Sequence, residues 1–177
     1  MNSINILIAA SSIVFLLVLW VVVGVRHLKY LKVEIKDQWE LLDESLRKRH
    51  DLLPNLIETV RGYLQDQEEL MEKLIVERHN AALEYYPGAK KIEHEHELSM
   101  TINRVIDLAG ISVELAKDTN FLELKTEIED LENNIEMKSK KYNEMVRYFN
   151  NHRRMFALQP IAVIFGFGMM NIFEVES

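Results

Sequence analysis

Histidine and carboxylate alternate at Glu93-His94-Glu95-His96-Glu97, the stretch of this 177-residue chain that most resembles a metal-ligand run. Imidazole is a good ligand for divalent metals, but two histidines separated by one residue reach a common ion only from extended chain. On a helix they point apart. No third histidine is near, so His94 and His96 are weak candidates and Lys90 to Glu97 reads first as a solvated charge run in a linker or helix start. A second chemical signal is Arg49, a charge flanked at helical spacing by Leu46 and Leu53. A guanidinium buried there needs a carboxylate and hydrogen bonds. Glu58, Glu129 or Glu132 could serve. Paired, Arg49 would act as a register or switch element; otherwise it would snorkel along the rim of the apolar face. Lys138 reads the same way, more weakly. Serine, histidine and aspartate are scattered without a nucleophile elbow, and no glycine-rich phosphate loop occurs. Cysteine is absent, which excludes disulfides, thiolate metal sites and a cysteine nucleophile. The expectation is a non-enzyme with no catalytic residue and no cofactor.

These side chains must be positioned by helices. With 6 glycines and 3 prolines the composition favours long helices over strands and turns. Ile4 to Val25 contains no charge, and a hydrocarbon core of about 30 Å needs roughly 20 apolar residues in a helix. Residues 1–28 therefore read as an uncleaved transmembrane anchor, carried by Ile4, Ile8, Val14, Phe15, Leu16, Leu17, Leu19, Trp20 and Val23. A cleaved signal peptide would have a charged leader, a shorter apolar run and small residues at its end, none of which fits. Arg26, Lys29, Lys32 and Lys36 follow the span and no Lys or Arg precedes it, which places the rest of the chain in the cytoplasm.

Residues 29–151 read as an antiparallel bundle of three to four long helices, an all-α fold. Steps of three and four from Trp39 pass through Leu42, Leu46, Arg49, Leu53, Leu56, Val60, Tyr63, Gln67, Leu70 and Leu74, apolar or aromatic except at Arg49 and Gln67. The pattern predicts one helix from about Lys29 to Glu84, about 80 Å long at 1.5 Å per residue, kinked but not broken at Pro54. A true break there, capped by Asp51, is the alternative. Tyr85-Tyr86-Pro87-Gly88-Ala89 should end this helix. A second helix is expected over Leu98 to Lys117. A third is opened by a capping box of Asn120 and Glu123, with Phe121, Leu124, Ile128, Leu131, Ile135, Tyr142, Met145 and Phe149 on one face. Stripes this regular must be buried against one another.

Residues 152–177 form an apolar tail, interrupted too often by Pro160, Gly166, Gly168 and Asn171 to be a second span. Phe156, Ile164, Phe165, Phe167 and Phe173 are its candidate contacts with a second copy or the membrane. The alternative for the tail is packing on its own domain.

The run Arg49-His50-Asp51-Leu52-Leu53-Pro54-Asn55-Leu56-Ile57-Glu58-Thr59-Val60-Arg61-Gly62-Tyr63 resembles the signature of the LemA family. So do Asn120-Phe121-Leu122-Glu123-Leu124 with Glu129, Glu132 and Asn133, the run around Tyr142-Asn143, and the final Gly166-Phe167 and Phe173-Glu174. The resemblance covers nearly the whole chain. It implies a bacterial membrane-anchored helical-bundle protein without an agreed enzymatic activity. Some members are linked to membrane organisation, including magnetosome membranes. It also marks Arg49, Asp51, Leu53, Pro54, Asn55, Glu58, Asn120, Phe121, Glu132, Tyr142 and Asn143 as structural motif residues.

Two functions follow as expectations. One is a membrane-anchored structural protein that assembles with itself to organise, scaffold or curve the bilayer. The other is a tethered adaptor for another membrane or regulatory protein. The formal net charge of −7 argues against a nucleic-acid partner.

Overall fold

The computed structural model describes residues 3–83 and 87–173, and every regular element among them is a helix. Tyr85 and Tyr86 of the expected turn, and the tail beyond Phe173, lie outside the described residues. Helix α1 spans Ser3–Arg61 without a break. Its first part contains an 18-residue window of mean hydropathy 3.0, none of it buried, and it is the one described helix long and apolar enough to cross a membrane. Ile4, Ile8, Val14, Phe15, Leu16, Leu17, Leu19, Trp20 and Val23 all lie exposed along it, compatible with a single-pass membrane protein. Farther on, the same helix changes character. Leu28, Leu31, Ile35, Trp39, Leu42, Leu46, Arg49, Leu53, Leu56 and Val60 are buried at steps of three and four. The stripe thus begins about three turns before Trp39.

The expected helix is continuous at Pro54, as its periodicity predicts, but it ends sooner than Glu84. Pro54 lies inside α1 on an exposed face, and the helix continues through it. A proline cannot donate to the carbonyl four residues back, here that of His50. Arg78 Nε takes that carbonyl instead, at 2.7 Å. The break comes later, at Gly62. Tyr63 N and Leu64 N both donate to Val60 O at 3.0 Å, and a single 3₁₀ turn, Gln65–Gln67, leads into α2, Glu68–Leu83. Glycine is the poorest helix former after proline, at about 1 kcal/mol relative to alanine. Folding back there lays Leu70, Met71, Leu74 and Ala81 into the same core as Leu53, Leu56 and Val60. Tyr63, expected in the stripe, is exposed, and Gln67 is half-buried.

Helix α3 is Ala89–Ile111, so Lys90 to Glu97 is helix rather than linker, and the helix stops at Ile111 rather than Lys117. A 3₁₀ turn, Leu115–Lys117, precedes α4, Thr119–His152. The residue that caps α4 is Asp118, not Asn120. Its Oδ1 accepts from Phe121 N at 2.9 Å, the bond by which an aspartate satisfies an orphan donor of the first turn. Asn120 is exposed and Phe121 buried.

The chain divides into two compact units, residues 37–144 with 171–177, and residues 1–36 with 145–170. In the first, α1 and α4 run antiparallel: the Trp39 and Tyr142 rings lie 5.6 Å apart, and Lys138 Nζ donates to Leu41 O at 3.0 Å and Ser45 Oγ at 2.7 Å. Residues from α1 to α4 share one apolar core, with Leu98, Ile102, Val105 and Ala109 supplied by α3 and Phe121, Leu124 and Ile128 by α4.

In the second unit, α5 (Gln159–Ile164) packs where α1 carries Gly24. A Cβ on Gly24 would collide with Ile161 Cδ1 and lie 3.3 Å from Leu158 Cδ2, so glycine permits this approach. Gly166, at φ 68°, ends α5: Phe167 N donates to Ala162 O and Gly166 N to Val163 O, a Schellman stop that tucks Phe167 in.

Candidate functional site

The polar groups buried deepest meet where α1, α2, α3 and α4 converge. Arg49, in the apolar stripe of α1, has no exposed surface. Its NH1 donates to Ser99 Oγ at 2.5 Å and to Glu132 Oε1 at 2.6 Å, and its NH2 to Glu95 Oε2. His50 Nε2–H donates to the same Glu95 oxygen at 3.1 Å, while Lys91 Nζ lies 2.8 Å from Glu95 Oε1 and donates to Ala81 O at 2.8 Å. Asp43 stands 3.9 Å from Lys91 Nζ and accepts from Arg47 NH2 at 2.5 Å. One guanidinium therefore ties α1 to α3 and α4, and Lys91 ties α2 to the same carboxylate.

Helix spacing explains why these residues meet. The buried face of α3 runs Ala109, Val105, Ile102, Leu98 and, continued backward at the same steps, Glu95 and Lys91. Both charges occupy core positions of the helix. Glu95, read as part of a solvated run, is wholly buried, and Lys91 almost so. Asp43, His50, Ser99 and Arg78 were likewise not singled out by their sequence context. The signal for Lys91 and Glu95 was the stripe itself, had it been extended through the charged stretch.

The packing favours the charged forms of Glu95 and Arg49. Burial pushes the Glu95 carboxyl up, but the His50 hydrogen bond and the charges of Arg49, His50 and Lys91 outweigh it and hold the pKa at about 2. Burial likewise disfavours the Arg49 charge, and Glu132 and Glu95 more than restore it, so the guanidinium is raised above its ordinary value. A carboxyl this acidic carries no proton near neutral pH, and the guanidinium keeps its own. Through Arg49 and Lys91 the group ties α1, α2, α3 and α4 together with charged hydrogen bonds. Arg49 Nε and His96 Nδ1 are buried without a hydrogen-bond partner among the described residues.

Of the carboxylates the sequence offered to Arg49, Glu132 meets it, while Glu58 and Glu129 are exposed. Asp51 and Asn55 are exposed on α1, and the Asn55 carbonyl accepts from Thr59 Oγ1 at 2.8 Å. His94 and His96 lie on helical chain, where neighbours two apart diverge, so the extended geometry a shared ion would need is not present. Among the described residues no group of three or more His, Asp or Glu is arranged to hold a metal.

Tyr142 and Asn143 grip the tail. The Asn143 side-chain amide donates to Phe173 O at 2.7 Å and accepts from Phe173 N at 2.6 Å, as a neighbouring strand would. Tyr142 Oη donates to Asn171 O at 3.1 Å, and burial raises its pKa to about 12. In the other unit Asn150 repeats the clasp on Met170, at 2.8 and 3.1 Å. Phe167 and Phe173, expected as contacts for a partner, are thus core residues of their own chain; Phe156, Ile164 and Phe165 are exposed.

The LemA family profile matches residues 38–177, which contain this network and both clasps. The chain belongs to the LemA family. Its signature run now has a structural meaning: Arg49 is the hub of the buried charges, and Pro54 frees the carbonyl that Arg78 binds. None of the curated proteins compared with this LemA chain matches it.

Proposed function

We propose that this LemA protein is a membrane-anchored structural protein whose helical domain packs against copies of itself to organise, scaffold or curve the bilayer. The observation that carries the reading is the double nature of α1. Its first part is apolar and unburied, and its second part is built into the core and the ionic network of residues 37–144. One unbroken helix, Ser3–Arg61, carries both the apolar span and the first stripe of the domain. Leu42, Leu46, Leu53 and Leu56 are spent inside the protomer, so copies meet through the outer faces of the helices. The Lys and Arg that follow the span support a reading with the domain on the cytoplasmic side of a bacterial inner or internal membrane. The bilayer, further copies and other membrane proteins are the partners of this reading. It involves no nucleic acid, no cofactor and no turnover.

The test is to purify the full chain in mild detergent and in lipid. The expected result is a multi-copy particle that persists on dilution by light scattering and negative-stain imaging, with altered vesicle shape on reconstitution. A particle that is monomeric at every concentration and leaves vesicles unchanged rejects it.

One observation favours the adaptor instead. A cleft of about 300 Å³ beside the α1–α2 turn, lined by Arg61, Leu64, Gln65, Met71 and Ile75, offers a place for a partner's side chains. That reading requires stoichiometric co-purification of one partner, lost in Ile75→Glu, whose side chain is exposed in the cleft.

A further inference from the structure

The charges of this chain are unevenly shared. Residues 1–36 and 145–170, one compact unit, carry seven Lys and Arg against a single acid, Glu34, in a chain whose formal net charge is −7. The unit is therefore at +6 and the remainder at −13. No acid at all occurs in 145–170, which include the most exposed aromatic side chain of the tail. Phe156 is 95% exposed and Ile164 76%, with Val163 and Phe165 beside it also open. Exposed apolar side chains, three of them consecutive, mark a surface that something apolar covers.

Their position says what covers them. The charge-free stretch of α1 ends at Val25, with Arg26 and Lys29 just beyond. Gly24, in the last turn of that stretch, is the residue against which Ile161 and Leu158 of the α5 region pack. The tail therefore lies level with the end of the membrane span, where acyl chains give way to headgroups. Ile161 and Ala162 face inward and are buried, while Val163 and Ile164 face away. The His27 and His152 rings, 5.9 Å apart, and Lys32 Nζ, 5.9 Å from the Phe167 ring centre, hold the polar side of the same layer. Arg154 is exposed next to Met155 and Phe156.

We propose that Met155–Phe165 is an interfacial wedge: a second membrane contact beside α1, with Phe156, Ile164 and Phe165 entering the acyl boundary and Arg26, Lys29 and Arg154 meeting anionic headgroups. Apolar side chains flanked by basic residues are the composition that binds this layer. The proposal rests on the anchor reading above and adds to it. The membrane would hold each protomer at two points, so rotation about the α1 axis is restrained as well as depth. Apolar side chains inserted on one leaflet, beside a span, also supply the asymmetry that bending a bilayer requires.

The chain has no cysteine, so a single introduced one takes a fluorescent label uniquely. Phe156→Cys and Ile164→Cys are labelled with an environment-sensitive dye in the full-length protein. Val14→Cys marks the anchor and Glu127→Cys an exposed site on α4. Each is reconstituted at high dilution into phosphatidylcholine–phosphatidylglycerol vesicles. The labels at 156 and 164 are expected to shift to the blue and lose most of their intensity to lipid-borne doxyl quenchers, resisting aqueous iodide, as the Val14 label does and the Glu127 label does not. If the Val14 label is lipid-quenched while 156 and 164 respond only to iodide, the wedge fails and the anchor stands. If the Val14 label is also reached only by iodide, the anchor reading fails and the wedge with it. Protection at 156 and 164 that vanishes on dilution assigns the surface to a second copy and overturns the proposal. In pure phosphatidylcholine the 164 label should move back toward the red; identical spectra in both lipids overturn the headgroup part.

Discussion

Leu56 and Arg49 lie on the same face of α1, two turns apart, and neither is exposed to solvent. They are buried by different means. Leu56 joins an apolar core to which α1, α2, α3 and α4 all contribute. Arg49 is surrounded by Ser99, Glu95 and Glu132 at hydrogen-bond distance. The apolar layer contributes through area removed from water, about 25 cal/mol per Å², and would accept a neighbouring register at modest cost. The ionic layer contributes little net stability, because desolvation offsets attraction. It accepts one register only, since a planar fork finds its three acceptors in one arrangement. The contrast assigns cohesion to one layer and alignment to the other.

Removing the hub should break that contrast most sharply. Arg49→Met leaves Glu95 in the interior with only Lys91 and His50, and a loss of roughly 3 kcal/mol is expected in denaturant unfolding. Arg49→Met with Glu95→Met should recover part of it. An unchanged midpoint in the single variant would mean that Arg49 is an idle charge. Acid is the next probe. The Glu95 pKa is lowered from 4.5 to about 2, so its contribution is present above pH 4.5 and is lost as pH falls from 4.5 toward 2. The thermal midpoint should fall over that window, and Glu95→Gln should flatten the fall.

A third test concerns the carbonyl that Pro54 leaves free. Arg78→Met orphans His50 O and should cost about 1–2 kcal/mol. In a Pro54→Ala background the cost should shrink, because residue 54 can then donate to His50 O itself; equal costs in both backgrounds would dissociate Arg78 from the proline. The smallest effect belongs to the apolar layer: Ile102→Val should cost about 1 kcal/mol, equally at pH 3 and pH 7.

These effects also separate what was legible in the sequence from what was not. Arg49 was visible because a charge among leucines at helical spacing is anomalous, and Glu132 was within the set offered to it. Glu95 and Lys91 were hidden because a dense charged run looks solvated, although the stripe of α3 passes straight through it. The spacing that revealed the stripe also concealed the turn at Gly62. Leu70 and Leu74 keep phase with Leu56 and Val60, so a fold-back and a straight helix look alike in one dimension. The stripe keeps its phase across Pro54, so a continuous helix was legible there, and a proline whose freed carbonyl finds a donor need not end a helix. Asn143 and Asn150 bind main chain, and a main-chain partner has no side-chain identity from which it could be read.

The pairing of α1 with α4 has a consequence for synthesis. Glu132 is made 83 residues after Arg49, and Lys138 is made 97 residues after Leu41. At about 5–20 residues per second, the first helix waits roughly 4 to 20 s for its partner. During that interval its apolar start is already available to the bilayer, while its leucine stripe has no α4 to cover it. Asp43, Ser45 and Arg49, set into or beside the stripe, make the waiting surface less adhesive to other nascent chains. The charges that align the finished helices thus also interrupt the apolar stripe for as long as α4 is awaited.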